Sequence, residues 1–428
     1  VYNVPVLFME LRMGNLTSLA RKITLVLFIE QSLASAGFIA AATLNPIVGA
    51  KLYDHAGWAG VPTAVYLLGA ALAAFGWGYV NDMIGRRGGL TLGLLMGVIG
   101  SGIAFYSVVI GSFILFLVGM VLNGTAQAAV QLGRFAAAEV HPPEARGRAI
   151  SNVVIGGTFG SILGPILVGP AGIISKSIAY EELAGAYGVS FILFAVGVLV
   201  VFFGLRPDPR ELGREVAKAH PETRSMNESA RPILQIFNTP PARVALMAMA
   251  FGQMVMVLVM VITSLHMRDH QHALGAISMV ISAHTFGMFA FSIVSGRLAD
   301  RYGRKPIILA GSATLVMACI AASLSPDVLP LGLSLFLLGL GWNFCFIGGS
   351  TLLADQLSIT ERGKTQGFND LMVGMASALG SLSSGIIYSA VGYEAMAIIS
   401  AAVALIPLLA ALTWSPIGKP MLQAAGEP

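Results

Sequence analysis

The chain has 428 residues, 56% of them hydrophobic and only 11% charged, with a formal net charge of +4. A soluble domain carries about 25% charged residues, so most of this chain must lie in lipid or in protein packed within lipid; the small basic excess sits at the edges of apolar runs and gives no nucleic-acid surface. The two cysteines, Cys319 and Cys345, fall inside apolar runs and offer neither a disulfide framework nor metal-ligand spacing.

The first eight residues are apolar but have no basic region before them and no cleavage site, so no cleavable signal peptide is read there; an opening Val is unusual for a start, which leaves the true N-terminus open. A membrane span needs roughly 20 apolar residues. Twelve are predicted, at 23–47, 61–80, 89–109, 112–134, 151–174, 188–205, 243–265, 275–296, 306–324, 329–353, 366–391 and 394–414. Of the 25 Lys and Arg residues, Lys51, Lys176 and Arg268 fall in one set of loops, and Arg134 lies near the end of span four. The other 21 lie in the tails, the alternate loops and the long polar stretch between spans six and seven. Cytoplasmic loops collect Lys and Arg, so both termini are expected in the cytoplasm. The fold class is therefore an all-α membrane protein. Its expected units are an N-terminal six-helix bundle over 1–206, a cytoplasmic linker over 207–241, and a C-terminal six-helix bundle over 242–428. Within the linker, Arg210 to Ala219 suits a short surface helix.

Between spans two and three the chain reads Gly78-x-x-x-Asp82-x-x-Gly85-Arg86-Arg87. The pattern returns 218 residues later, between spans eight and nine, as Gly296-x-x-x-Asp300-Arg301-x-Gly303-Arg304-Lys305. Glu139 and Arg146 recur as Asp355 and Arg362, and Asn152 to Gly157 as Asn369 to Gly374, at nearly the same offset. Such internal duplication points to two homologous halves with a path between them.

These residues resemble the major facilitator superfamily over essentially the whole chain. The resemblance implies two pseudo-symmetric six-helix bundles around a central cavity, with spans one, four, seven and ten lining it, and transport by rocking of the halves. It makes the doubled motif a conformational latch rather than a substrate site. The first copy has Met83 where a basic residue usually follows the Asp, whereas the second keeps Arg301, so the second latch is expected to be the stronger. In span five, Gly160, Gly164, Pro165 and Gly169 are similar to the family's antiporter motif, with Val168 in place of one Gly; this favours efflux. Gly156, Gly160 and Gly164 are also spaced for close helix packing alone. Proton-coupled members often carry an Arg three residues before the Gly of span four; here that position is Val121.

The polar groups within spans are the candidate substrate and coupling residues. Asn123, Gln127, Gln131 and Arg134 lie at steps of 4, 4 and 3 in span four, within an arc of roughly 80° on one helix. Amides in lipid need partners, so this stripe is expected to face a cavity or the bundle interior. Gln31, Gln253, Trp342 and Asn343 join it as candidate substrate contacts; Trp342 is placed to stack on an aromatic or cationic compound. Glu30 lies about a third of the way into span one, where a charged carboxylate costs roughly 3 kcal/mol. It is the candidate proton-coupling group, with Arg134 as a possible partner, and His284 in span eight is the second. The Met-rich span seven suits either an adaptable wall or simple filler. His266, His270 and His272 cluster in an outer loop but match no established metal site, and no metal or other cofactor is expected.

No nucleotide-binding loop and no covalent catalytic constellation is present, so the chain is not expected to be an enzyme. A secondary carrier in the inner membrane, monomeric by family default, fits best. The partners it implies are the lipid bilayer, a small-molecule substrate and protons or another coupling ion. Three readings stay open: proton-linked efflux of small, partly apolar compounds; import of a polar metabolite such as an organic acid held by Arg134; and a non-transporting scaffold or assembly factor with the same fold.

Overall fold

The structure is a computed structural model that describes residues 4–142, 145–219, 231–358 and 361–414. The termini, and with them Lys419, lie outside the described residues, as does the middle of the linker with Arg224. Among the described residues eleven stretches are long and apolar enough to cross a membrane. The last, Lys364–Thr413, is 50 residues long and so about 75 Å if straight, more than twice a hydrocarbon core. It is broken at Gly392, where φ is 79°. Two passes meet there, at the junction expected between 391 and 394, so the described residues make twelve.

The helices in order are α1 (Val4–Tyr53), α2 (Val61–Ile110), α3 (Phe113–Val130), α4 (Gly133–Glu139), α5 (Arg146–Ser177), α6 (Gly185–Gly204), α7 (Pro209–Ala219), α8 (Ile233–Phe237), α9 (Pro240–Asp269), α10 (Leu274–Phe289), α11 (Ser292–Tyr302), α12 (Arg304–Ala322), α13 (Val328–Ala354) and α14 (Arg362–Thr413). Spans two and three share α2 and turn at Gly85, with φ 82° and ψ 169°. The equivalent turn in the other half is Gly303, φ 92° and ψ 165°, between α11 and α12. A side chain is strongly disfavoured in that conformation, which explains why both copies of the motif carry Gly there.

Helices before the linker pack mainly on one another, α2 on α3 and α1 on α5 and α6; those after it do the same, α9 on α14 and α12 and α10 on α13. The linker helix α7 is amphipathic. It seats Leu212 and Val216, both nearly inaccessible, under the first bundle.

The halves are clasped at the end opposite the basic loops. Ser381 donates to the Gly60 carbonyl at 2.8 Å. A Cβ at Gly385 would sit 2.6 Å from the Gly57 carbonyl oxygen, and one at Gly169 would sit 3.4 Å from Gly275 Cα. All three basic residues of this end are paired: Lys51 with Glu181, Lys176 with Glu182 at 2.9 Å, and Arg268 with Glu182 at 3.9 Å. Glu182 therefore bridges the two halves. At the basic end no ion pair or side-chain hydrogen bond among the described residues joins them; each pair there stays within one bundle or ties the linker to it.

Candidate functional site

The two copies of the motif build matching networks. In the first, Arg86 grips Glu139 with two N–H groups, Nε to Oε2 at 2.9 Å and NH2 to Oε1 at 2.6 Å, and reaches back to Asp82 at 3.0 Å. In the second, Arg304 donates to Asp355 at 2.8 Å and to Asp300 at 3.1 Å. The acids that the repeat pairs by position, Glu139 and Asp355, thus do the same work. Asp82 and Asp300 are 71% and 73% exposed, so each motif carboxylate keeps most of its surface free.

The networks differ, but not through the residue after the Asp. Met83 is 64% exposed, and Arg301 lies only over its neighbour Tyr302, at 5.4 Å. The difference comes from the linker. Asp208 accepts from the backbone N–H groups of Arg86 and Arg87, at 3.2 and 3.0 Å, and from Arg210 N–H at 2.8 Å. It thus caps both α7 and the helix restarting after Gly85. Arg210 adds a 2.6 Å bond to the Asp82 carbonyl. Arg87 donates to the Phe202 carbonyl at 3.0 Å, with its guanidinium over the Phe202 ring. In the second half Lys305 instead holds the carbonyls of Leu412 and Trp414. Past the linker, buried Glu361 accepts from Arg231 through Nε at 2.7 Å, NH2 at 2.8 Å and the backbone N–H at 3.0 Å, and from Ser358 N–H at 3.0 Å. These donors, Arg231 first, hold its carboxyl far below the usual carboxylate range. Sequence reasoning missed both linker anchors, although Asp208 followed by Pro209 is a helix-start signal.

Glu30 is completely buried, and neither carboxylate oxygen has a hydrogen-bond partner. The pairing with Arg134 is not formed. The Glu30 carboxylate lies instead against Gly133, within 3.4 Å of where a Cβ would stand, beside Leu27 and Leu90. Arg134 Nε is also buried without a partner, and the acid that acts on it through space is Asp370, on α14 in the other half.

The span-four stripe does not run along one helix. The chain tightens at Gln131 and Leu132, where Leu132 N–H bonds the Ala129 carbonyl and Phe135 N–H the Leu132 carbonyl. Such i→i−3 bonding advances the chain about 120° per residue rather than 100°, so Arg134 turns toward Gln131 within the predicted arc and sits on the separate short helix α4. The stripe also spans several environments. Asn123 is buried and accepts from Ser101 at 3.1 Å, Gln127 is half-buried, and Gln131 is exposed.

Gln31 is buried against Gly157 of α5 and bonds Ser35 at 3.3 Å. In the second half Trp342 donates to Gln253 at 2.6 Å and stacks on Phe346 with ring centroids 5.0 Å apart, Phe289 meeting it edge-on. Gln253 stays half-exposed. Asn343 is consumed by packing: it donates to the Met288 carbonyl at 2.6 Å and to Ser292 at 2.9 Å, and accepts from Ser295. It thereby satisfies backbone freed where span eight breaks between α10 and α11. His284 is fully buried and donates from Nδ1 to the Leu335 carbonyl at 2.9 Å, leaving Nε2 without a partner. His284 and Glu30 lie in different halves, and no contact joins them.

The span-five glycines press α5 onto α1. A Cβ at Gly156 or Gly164 would meet the carbonyl oxygens of Phe28 or Ala36 at 2.5 Å, and one at Gly160 would overlap the Ser32 carbonyl. The outer-loop histidines turn to separate partners: His266 stacks on Tyr393, His270 bonds the His266 carbonyl, and His272 the Pro326 carbonyl. A cavity of about 630 Å³ opens at the basic end between α1, α5, α7 and the loop after α4, and none of the predicted substrate residues lines it.

The family model of the Major Facilitator Superfamily matches residues 38–271 and again 244–427. The uncharacterised MFS-type transporter YdeG of Bacillus subtilis is 32% identical over 400 residues, covering 93% of each chain. The riboflavin transporter RfnT of Brucella anthropi is 28% identical over 88% of this chain and 91% of its own. The multi-drug resistance efflux pump PmrA of Streptococcus pneumoniae is 24% identical over 79% and 81%. This chain belongs to the Major Facilitator Superfamily and is a multi-pass membrane transporter of small molecules.

Proposed function

We propose that this transporter is a proton-linked exporter of small, partly apolar compounds, working in the inner membrane with its basic end in the cytoplasm. The observation that carries the coupling is Glu30. A carboxylate wholly enclosed beside Gly133, with both oxygens unpartnered, is stable only when protonated or when water reaches it. Each time the halves rock and water enters, it is positioned to exchange a proton. Efflux is supported by the span-five motif and by the likeness to a named efflux pump, although the motif's glycines also have a packing role. The half-exposed Gln253 beside the Trp342–Phe346–Phe289 cluster supplies an aromatic wall with one polar handle, suited to a planar, partly apolar compound.

The test is counterflow in proteoliposomes with an imposed pH gradient. Glu30→Gln is expected to abolish gradient-driven accumulation while preserving substrate exchange at equal pH. Gradient-driven transport at the wild-type rate in that variant would remove Glu30 from the mechanism. A second reading, import of a planar heterocyclic metabolite, is favoured by the likeness to the riboflavin transporter together with the same aromatic wall. Right-side-out and inside-out vesicles, each given the same gradient, distinguish the two directions.

A further inference from the structure

The cavity at the basic end has a composition that the transport path leaves unused. One wall is apolar: Leu25 and Phe28 of α1, Ala149 of α5 and Val216 of α7. Its lining is also cationic, with Arg21 from α1, Arg148 from α5 and His141, and no acid lines it among the described residues. Both arginines are exposed, yet neither makes an ion pair or a side-chain hydrogen bond. Arg86, Arg231 and Arg304, at the same end, are each held by a carboxylate. His141 is fixed through Nε2 to the Thr24 hydroxyl at 2.9 Å. Burial, and then the charge of Arg21, keep its ring below the ordinary imidazole value. Two unpaired guanidinium groups over an apolar slot match an anionic head carried on a hydrocarbon body, because Arg binds phosphate and carboxylate oxygens in fork geometry.

We infer that this groove is a binding site for an amphiphilic anion, its phosphate or carboxylate head held by Arg21 and Arg148 and its apolar body lying along Leu25, Phe28 and Ala149. The site is separate from Glu30 and from the Gln253–Trp342 wall, so its failure would leave the transport reading untouched. The chemistry is shared by an anionic phospholipid of the surrounding leaflet and by a soluble amphiphilic anion arriving from the basic side.

The test uses the full chain in amphipol, titrated with dodecyl phosphate and with the uncharged dodecyl glucoside. Dodecyl phosphate is expected to bind at least about tenfold more tightly. Arg21→Gln and Arg148→Gln should each weaken it about tenfold, or about 1.4 kcal/mol, with unchanged melting temperatures because neither side chain is packed. Leu25→Ser, at a position 58% exposed, should weaken both amphiphiles alike. Wild-type affinity in the double arginine variant, or equal affinity for the uncharged chain, overturns the assignment. Two further arms establish the source, and either result supports the site. Displacement by millimolar inorganic phosphate points to a soluble anion. Retention of phosphatidylglycerol over phosphatidylcholine in native mass spectra, lost in the double variant, points to lipid.

Discussion

Gly85 and Gly303 occupy equivalent turns with nearly equal backbone angles, so one substitution at both separates backbone strain from the linker contact. Alanine in this region costs about 1–3 kcal/mol in strain, a cost common to the two sites. At Gly303 a Cβ finds only Pro306 Cδ, at 3.9 Å, and nothing further is lost. At Gly85 it would stand 2.5 Å from Asp208 Oδ2 and 3.1 Å from Cγ. The carboxylate must withdraw, giving up the bonds to Arg86 and Arg87 N–H. Hydrogen bonds to a charged group contribute about 1.5–3 kcal/mol each, and half-exposure of Asp208 puts these at the lower end. Gly85→Ala should therefore destabilise by about 4–6 kcal/mol against about 1–3 kcal/mol for Gly303→Ala. Melting in detergent followed by Trp fluorescence reads the ordering. A double-mutant cycle with Asp208→Ala then isolates the contact: once Gly85 is Ala, removing Asp208 should cost little, leaving a coupling of at least about 1 kcal/mol. Equal losses at the two glycines, or additive effects in the cycle, would refute the clamp.

Asp82→Asn and Asp300→Asn should each change stability by under about 1 kcal/mol and by the same amount, since both carboxylates are exposed members of i,i+4 pairs; unequal melting shifts would show a partner that this conformation lacks. Arg231→Gln should lower the melting temperature by a constant amount from pH 8 to pH 5, and the gap to wild type should close as the pH falls further. Glu361 has a depressed carboxyl, so its contribution is complete above the ordinary value of 4.5 and is lost on acidification through the folded value; a gap that widens in acid contradicts this. Gly160→Ala should cost about 1–3 kcal/mol through overpacking against α1, whereas Gly157→Ala, whose Cβ would meet only the flexible Gln31 and Ser35 side chains, should cost much less. Equal melting temperatures would show that α5 can move off α1 without penalty.

The passes and the turns at Gly85 and Gly303 were legible in the chain because each rests on local chemistry. An apolar run long enough for a bilayer reads as a span whatever surrounds it, and a glycine beside a cluster of arginines marks a turn at a water boundary. The repeat likewise placed Glu139 and Asp355 in equivalent positions before any contact was known. The break at Gly392 fell where two spans were expected to meet.

Partnership was not legible, because a side chain's neighbours come from helices distant in sequence. Spacing put Arg134 in reach of Glu30, but the carboxylate lies alone against Gly133 and Arg134 Nε is buried without a partner. Asn343 looked like a ligand contact and is spent on the broken backbone of span eight. Asp208, inconspicuous in a polar linker, clasps a turn more than 120 residues earlier. Composition and periodicity determined that the chain crosses lipid many times and that it is built twice; hydrophobicity and backbone conformation act residue by residue. Only the tertiary structure decided which buried polar group is satisfied and which is left free, since a hydrogen bond is made or lost over a few tenths of an ångström, a distance set by packing between helices.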